Sequence, residues 1–323
     1  MSLPATFSSL EEAAALPPRP LHLAIGMFDG VHLGHRAVIE AAVQSAHRSD
    51  GLAAVLTFFP HPSVLFRPQE PTRLIMPSAT KARVLFQLGV EALIEQRFTR
   101  EFSAITAEEF LPHLRRMLPR LAGIYVGENW RFGRGRRGDV NFLVAEARKH
   151  GLAVLSAPAV SLDGDPISST RIRNLIEAGD VSGASALLGY TYFADGPVVA
   201  GERLGHKLGF PTLNLHWEPE LRPRFGVYWV RVSGAKSAAM LPGVANYGLR
   251  PTIEQTTRPR LETHLLVPCP FSAGDTITVE WLRFLRPEQK FSTAEELRVQ
   301  IARDVAAARV EFGLPPAASS FSI

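Results

Sequence analysis

A chain of 323 residues is longer than one ordinary domain and suits two, each large enough to bury its own core. With 46% hydrophobic and 20% charged residues, and no apolar run near the roughly 18 residues that span a bilayer, the composition is that of a soluble globular protein and argues against a membrane partner. A net charge of +4, from thirty arginines and five lysines without a long basic block, argues against nucleic acid and fits small anionic substrates.

The opening stretch "MSLPATFSSLEEAAALPPRP" lacks the basic start and apolar core of a secretory signal. The single cysteine, Cys269, excludes an intrachain disulfide and a cysteine zinc site, and reads as a small filler residue. Together these features lead to the expectation of a cytoplasmic protein. Further along, the apolar runs "LHLAIG", "LAAVLTF", "AGIYVG" and "LAVLSA" are separated by helix-like stretches such as "HRAVIEAAVQSAHRSD". Strands alternating with helices imply a parallel sheet covered on both faces, a Rossmann-like α/β layout.

After Ile167, "SSTRIRNLIEAGD" and "VSGASALLG" predict two helices, the first ending at Gly179. From about 192 to 285, short β-rich runs ("GVYWVRV", "RLETHLLV", "DTITVEWLRFL") without intervening helical period predict a small antiparallel β-barrel. The tail "STAEELRVQIARDVAAARVEF" predicts one C-terminal helix, opened by a capping box of Thr293 and Glu296 and stopped near Gly313 and Pro315. The expected domains are 1–186 and 187–323.

The string "LHLAIGMFDGVHLGHRAVIEAA" places a buried strand, a turn containing Gly26 and Gly30, and a helix start holding His32, Gly34 and His35. Glycines admit an oxyanion close to the backbone, and a helix N-terminus offers unpaired N–H groups and partial positive charge. His32 and His35, three apart, project from one face and serve as donors to a triphosphate. Two other readings stay open: structural hydrogen bonding, and a metal site of the two histidines with Asp29.

The ten residues "GMFDGVHLGH" resemble the nucleotide-binding signature of the nucleotidylyltransferase superfamily, with "HLGH" as its His-x-Gly-His element. More narrowly, the chain resembles the bacterial bifunctional riboflavin kinase and FAD synthetase family, from about Leu21 to Phe312. The resemblance implies nucleotide contacts from Gly26, Phe28, Asp29 and Gly30, with His32 and His35 catalytic.

"TFFPHPSVLF" resembles the family's Thr-Phe-x-Pro-His-Pro segment, which implies flavin contacts from Pro60, His61 and Pro62; taken alone it is also a stiff turn at a strand end. "VGENWRFGRGRRGD" supplies Asn129, at a position where the family carries Asp or Asn against the nucleotide, and Trp130, where the family commonly has Phe. Arg134, Arg136 and Arg137 suit either phosphates or solvent. "ISSTRIR" matches the family's Ile-Ser-Ser-Thr-x-Ile-Arg motif, which implies that Ser169, Thr170 and Arg173 meet the ATP phosphates, Arg173 steadying the departing pyrophosphate. Its other reading is N-capping by Ser169 or Thr170.

In the second half, "GERLGHKLGFPTLNL" resembles the riboflavin kinase signature. Gly205 and Gly209 allow a close turn around phosphates, and Thr212 and Asn214 offer oxygens to a hard cation such as Mg²⁺. "GVANYGLRPT" and "RLETHLL" resemble two further kinase segments, which implies flavin contacts from Asn246 and Arg250 and a catalytic base at Glu262. Three departures stand out: His206 where the family usually has Arg, Tyr190-Thr191 in place of a frequent Arg-Pro, and "VPCPFSAGD" in place of an acidic stretch.

The implied function is bifunctional: riboflavin and ATP give FMN in the barrel, and FMN and ATP give FAD in the α/β domain, both with Mg²⁺. The partners are therefore riboflavin, FMN and ATP. Two alternatives are an FAD synthetase whose kinase-like barrel binds flavin or is structural, and a flavin-responsive regulator without catalysis.

Overall fold

The computed structural model describes residues 4–201, 204–249 and 259–316, and the chain divides into two compact units, Met1–Arg171 and Ile172–Ile323. The first unit runs β1 (Ala5–Phe7), β2 (Leu21–Ile25), α1 (Leu33–Arg48), β3 (Leu52–Phe59), α2 (Pro62–Phe66), α3 (Ser78–Gln87) and β4 (Ala92–Arg97). It continues with α4 (Arg100–Ala104), α5 (Ala107–Met117), β5 (Leu121–Gly127), α6 (Val140–Arg148), β6 (Ala153–Ala157) and a hairpin of β7 (Ser161–Leu162) and β8 (Asp165–Pro166).

The six longer-range strands form one parallel sheet in the order β1-β4-β3-β2-β5-β6. β2 is buried along its whole length, as expected of a strand covered on both faces. α1 buries Val38, Ile39, Ala42, Val43 and Ala46, a stripe at helical spacing. The strand order reverses at β2, between β3 and β5, and the crevice beyond the carboxyl ends of such strands is where open α/β sheets bind ligands. β1 and β4, which the sequence does not single out, extend the sheet on the β3 side.

α7 (Ser169–Ala178) carries the chain past Arg171 and ends at Gly179, whose φ of 88° is left-handed. The second unit continues with α8 (Val181–Leu188), β9 (Phe193–Val199), a single turn α9 (Leu204–Lys207), β10 (Leu213–Leu215), β11 (Gly226–Gly234), β12 (Ser237–Gly248), β13 (Arg260–Leu265), β14 (Thr276–Pro287) and α10 (Ala294–Glu311). The six strands close into an antiparallel barrel in the order β10-β13-β12-β11-β14-β9. Its interior is filled by Trp281, Tyr228 and Tyr247, with the Tyr228 and Trp281 rings edge to face at 4.6 Å. Each such burial contributes roughly 1.5–3 kcal/mol.

α10 starts as expected at Thr293, whose hydroxyl accepts from Glu296 N–H at 3.1 Å. The returning half of the capping box is shifted by one residue, since the Glu296 carboxylate accepts from Ser292 N–H at 2.9 Å rather than from Thr293. Cys269 is exposed in a loop, not packed as a filler. Among the described residues no helix is long and apolar enough to cross a membrane.

Candidate active sites

The first site is the turn between β2 and α1. His32 is the N-cap of α1, its Nδ1 accepting from His35 N–H at 3.3 Å. The His32 and His35 rings stack with centroids 3.5 Å apart, and Phe28 meets His35 edge-on at 5.3 Å. Gly34 makes the stack possible: a Cβ there would stand 3.2 Å from the His32 ring. Phe28 and Val31 are held at φ of 49° and 39°, left-handed values that bulky and β-branched residues rarely adopt. Such strain persists only where the surroundings over-determine it, and it clusters at functional sites. Because Nδ1 of His32 is an acceptor, a neutral His32 carries its proton on Nε2 and presents a donor there.

Residues far apart in sequence converge on this loop. Ser169 Oγ donates to Asp29 O at 3.0 Å, joining the "ISSTRIR" segment to the loop across 140 positions. The Asp29 carboxylate accepts from Ile75 N–H at 2.9 Å, so this expected nucleotide contact braces the loop against the segment before α3. Ser168, rather than Ser169 or Thr170, makes the capping bond of α7, its Oγ accepting from Arg171 N–H at 3.2 Å. That leaves Ser169 for Asp29. Arg173 follows Ser169 by one helical turn on α7.

Asn129 is exposed just after β5, the strand beside β2. Trp130 is half-buried, stacking on Phe132 at 4.6 Å and packing against the core of the unit. Arg134, Arg136 and Arg137 are all exposed on a turn that follows Gly133. His61 caps α2 through its Nδ1, which accepts from Ser63 N–H at 3.1 Å, and the flanking Phe59 and Phe66 are exposed. Among the described residues no group of three or more His, Cys, Asp or Glu is placed to hold a metal.

Sequence reasoning missed a buried polar cluster under the loop. Lys81 on α3 donates to Thr57 Oγ1 at 3.1 Å and faces Glu95 at 3.7 Å, while Thr57 donates to Met27 O at 3.0 Å. Thr57 and Met27 stand in the quoted motifs, but neither motif shows that they meet Lys81, because the members come from separate elements.

The second site is a cavity of about 680 Å³ between the outer wall of the barrel and the start of α10. Register creates it. Asn214 on β10 pairs with Glu262 on β13, which pairs with Asn246 on β12. Directly paired residues share a face, so the three form one polar row across the wall. Glu262 and Asn246 line the cavity together with Gly205 and Thr212. Along β13, Leu261, Thr263 and Leu265 turn into the barrel while Glu262 and His264 turn to the cavity.

The motif before β10 folds as a one-turn helix stopped by Gly209 at φ 85°, with Phe210 N–H donating to Gly205 O at 2.7 Å. A Cβ on Gly205 would collide with the backbone carbonyl of Phe210, and one on Gly201 with the Asn214 amide. His264 Nδ1 donates to Pro211 O at 2.9 Å beside Thr212, and burial pulls its pKa down. Glu288, a second cavity carboxylate that the sequence did not mark, is pushed up by burial against hydrogen bonds from Leu249 and Asn246. Arg286 binds Asp304 of α10 through two nitrogens, at 2.7 Å and 3.0 Å.

Of the departures noted in sequence, His206 is exposed on α9. The "VPCPFSAGD" segment contributes nothing to the cavity lining. It forms a turn tied by Asp275 to Ser272 N–H and Lys236. Arg250 lies outside the described residues.

Comparison with known proteins assigns both halves. Residues 16–171 match the family described as FAD synthetase, and residues 188–312 match the one described as riboflavin kinase. The bifunctional riboflavin kinase/FMN adenylyltransferase of Escherichia coli strain K12 is 37% identical over 292 residues, covering 90% of this chain and 93% of that protein. The Bacillus subtilis protein of the same description is 33% identical over 291 residues, covering 87% and 89%. A crystal structure described as a macrolide-efflux protein from Streptococcus pneumoniae aligns with a TM-score of 0.81 at 28% identity, covering 95% of this chain and 99% of that one.

Proposed function

The chain belongs to the bifunctional riboflavin kinase/FMN adenylyltransferase family, and from that premise we propose which residues carry each of its two reactions. It is an enzyme that phosphorylates riboflavin with ATP to FMN and adenylates FMN with ATP to FAD. The FAD-synthetase-only alternative gives way to the match of residues 188–312 to riboflavin kinase and to the full-length bifunctional relatives. We take the functional division to lie near residue 187, at the end of the stretch 172–187 that neither family covers, whereas the compact units divide after Arg171.

For adenylyl transfer, a phosphate oxygen of FMN attacks the α-phosphorus of ATP and the bond to the departing pyrophosphate breaks. The nucleophile is already an oxyanion, so no base is needed; the site must position and neutralise charge. His32 and His35 donate to phosphate oxygens as charge builds, and the Gly26–Gly30 turn and the N-terminus of α1 add backbone donors. Ser169, Thr170 and Arg173 take the β- and γ-phosphates, and Asn129 the nucleoside end. Pro60, His61 and Pro62, with the exposed rings of Phe59 and Phe66 beside them, suit a planar flavin. The observation that carries this reading is the stacked histidine pair at the N-terminus of α1.

For the kinase step, the ribityl hydroxyl must lose a proton before it attacks the γ-phosphorus, and Glu262 is the base. Asn246 and Arg250 orient the flavin, and Gly205 and Gly209 approach the phosphates of ATP. An ATP-using enzyme of this kind fits a divalent cation, which we take to be Mg²⁺. Asn214 Oδ1 is buried with no hydrogen-bond partner among the described residues, the kind of hard oxygen donor such a cation takes. Thr212 and Asn214 would hold it, and when bound it supplies charge neutralisation at the phosphates. We place the enzyme in the cytoplasm, with small molecules and not nucleic acid as its partners.

The test is product analysis on the full chain with riboflavin and Mg²⁺-ATP, and separately FMN and Mg²⁺-ATP. The expectation is FMN and FAD from the first and FAD from the second. His32→Ala with His35→Ala should remove FAD synthesis and leave FMN formation; appreciable FAD from that double variant sinks the assignment of the loop.

A further inference from the structure

A lysine is buried beneath the adenylyl-transfer loop that no step above uses. Lys81 is 6% exposed, and burying an ammonium carries a desolvation cost that an apolar residue of similar volume would avoid. Burial pulls its pKa down, while Glu95 and Asp29 hold the charged form in place. Its partner Thr57 is wholly buried and owns one hydroxyl proton. That proton goes to Met27 O at 3.0 Å, so the 3.1 Å contact with Lys81 is one in which Lys81 donates. The chain of bonds therefore runs from the ammonium through the hydroxyl to a carbonyl of the phosphate loop itself.

The direction of that carbonyl has a consequence across the peptide plane. The Met27–Phe28 peptide is trans, so its N–H points opposite to its C=O. With Met27 O drawn down toward Thr57, Phe28 N–H faces the other side of the loop. No acceptor among the described residues takes that N–H, although Phe28 is buried. Buried backbone donors are almost always paired. Phe28 also has a left-handed φ, and consecutive N–H groups around residues of that conformation are the material of the concave anion sites known as nests.

We propose that Lys81 is a positioning residue for FAD synthesis: acting through Thr57, it locks the Met27–Phe28 peptide so that Phe28 N–H is presented to the phosphates of ATP. This rests on the assignment of the loop to adenylyl transfer. The competing role is purely structural, with Lys81 and Ser78 tying α3 to Glu95 on β4.

The test measures FAD synthesis from FMN and Mg²⁺-ATP in the full chain, with riboflavin phosphorylation by the same molecule as the internal control. The variants are Lys81→Met, Thr57→Val, Thr57→Ser and the Lys81→Met/Thr57→Val pair. Lys81→Met and Thr57→Val should each lower kcat for FAD synthesis by at least about tenfold, the loss expected when a preorganised donor is released. FMN formation should stay at its original rate, and Thr57→Ser should restore FAD synthesis. Groups acting in series couple, so the double variant should be no worse than the poorer single one. Multiplying losses in the double variant, or a Thr57→Val enzyme as fast as the parent, would overturn the proposal. If Lys81→Met does not fold, the Thr57→Val and Thr57→Ser pair decides alone. A silent Thr57→Val alongside an inactive histidine double variant removes only the role of Lys81, whereas FAD synthesis surviving loss of both histidines removes the loop assignment beneath it.

Discussion

The two places assigned to ATP are made of different material. In the first unit the proposed phosphate loop is shaped by its backbone: a turn with two left-handed non-glycine residues, a helix N-terminus, and a histidine that also serves as the helix cap. In the second unit the proposed base, cation ligand and flavin contact are side chains set in one row by the register of three barrel strands, Asn214 opposite Glu262 opposite Asn246. The contrast follows from the chemistry. A phosphate nucleophile asks only for fixed donors, which backbone supplies without protonation changes. A hydroxyl nucleophile asks for a base, and only a side chain can be one.

The strongest way to break this comparison is to remove the base. Glu262→Gln keeps the shape and the strand pairing of β13 but cannot take a proton. FMN formation should fall in kcat by about 10²–10⁴-fold, the usual contribution of a positioned general base, while FAD synthesis from FMN is unchanged. Separate assays with riboflavin and with FMN read both rates. A parallel fall in the two would mean that the sites are not chemically separate. A kinase rate that survives would move the base elsewhere, with Glu288 the next carboxylate in the cavity.

A second substitution tests what holds the side-chain site together. Arg286 on β14 and Asp304 on α10 are both largely buried and bonded through two nitrogens, fastening the helix over the cavity wall. Asp304→Ala strands a buried guanidinium, which costs roughly 3–5 kcal/mol. Kinase activity should be lost through unfolding of the second unit, seen as a lowered denaturant midpoint. The first unit's transition and FAD synthesis from FMN should hold. The loop of the first unit is braced instead by hydrogen bonds of Ser169, Asp29 and Thr57.

The same contrast explains what could be read before the structure. The loop was legible because its parts are contiguous: the strand Leu21–Ile25, the glycines, the histidines and the helix start follow one another without interruption, and local rules of turns and caps connect them. The four strands read as a parallel sheet were legible from apolar runs. β1 was not, being three residues long, nor was β4, whose apolar start gives way to Glu95, Gln96 and Arg97. The polar row in the barrel was reachable only by family resemblance, since nothing in the spacing of Asn214, Asn246 and Glu262 reveals which strands will pair. Lys81 and the Arg286–Asp304 pair left no trace, and although Thr57 and Met27 stand in recognised motifs, nothing there shows that they bond. Each depends on a tertiary contact that no single segment reveals.

The smallest expected effect concerns acid, where the two units should behave alike for different local reasons. His22 in β2 is buried between Tyr125 OH at 2.8 Å from Nδ1 and Ser49 Oγ at 2.7 Å from Nε2, and burial, seconded by Arg48, pulls its pKa down. Ser49 spends its own proton on Ser45 O, so it accepts from Nε2–H, and Nδ1 must accept from Tyr125. A protonated His22 would turn a second N–H against the Tyr125 hydroxyl. His264 in the barrel wall is likewise lowered by burial, and Arg309 adds to the effect against the carbonyl of Pro211. For both, the unfolded chain binds a proton more readily than the native one. Stability is therefore whole above the unfolded value of about 6.5 and declines as pH falls below it toward the lowered native values. Denaturant midpoints followed from about pH 7.5 to 5.5 should fall for both units. His22→Gln should flatten the pH slope of the first unit only, and His264→Asn that of the second only. A slope that persists in the matching variant assigns the acid sensitivity to carboxylates instead.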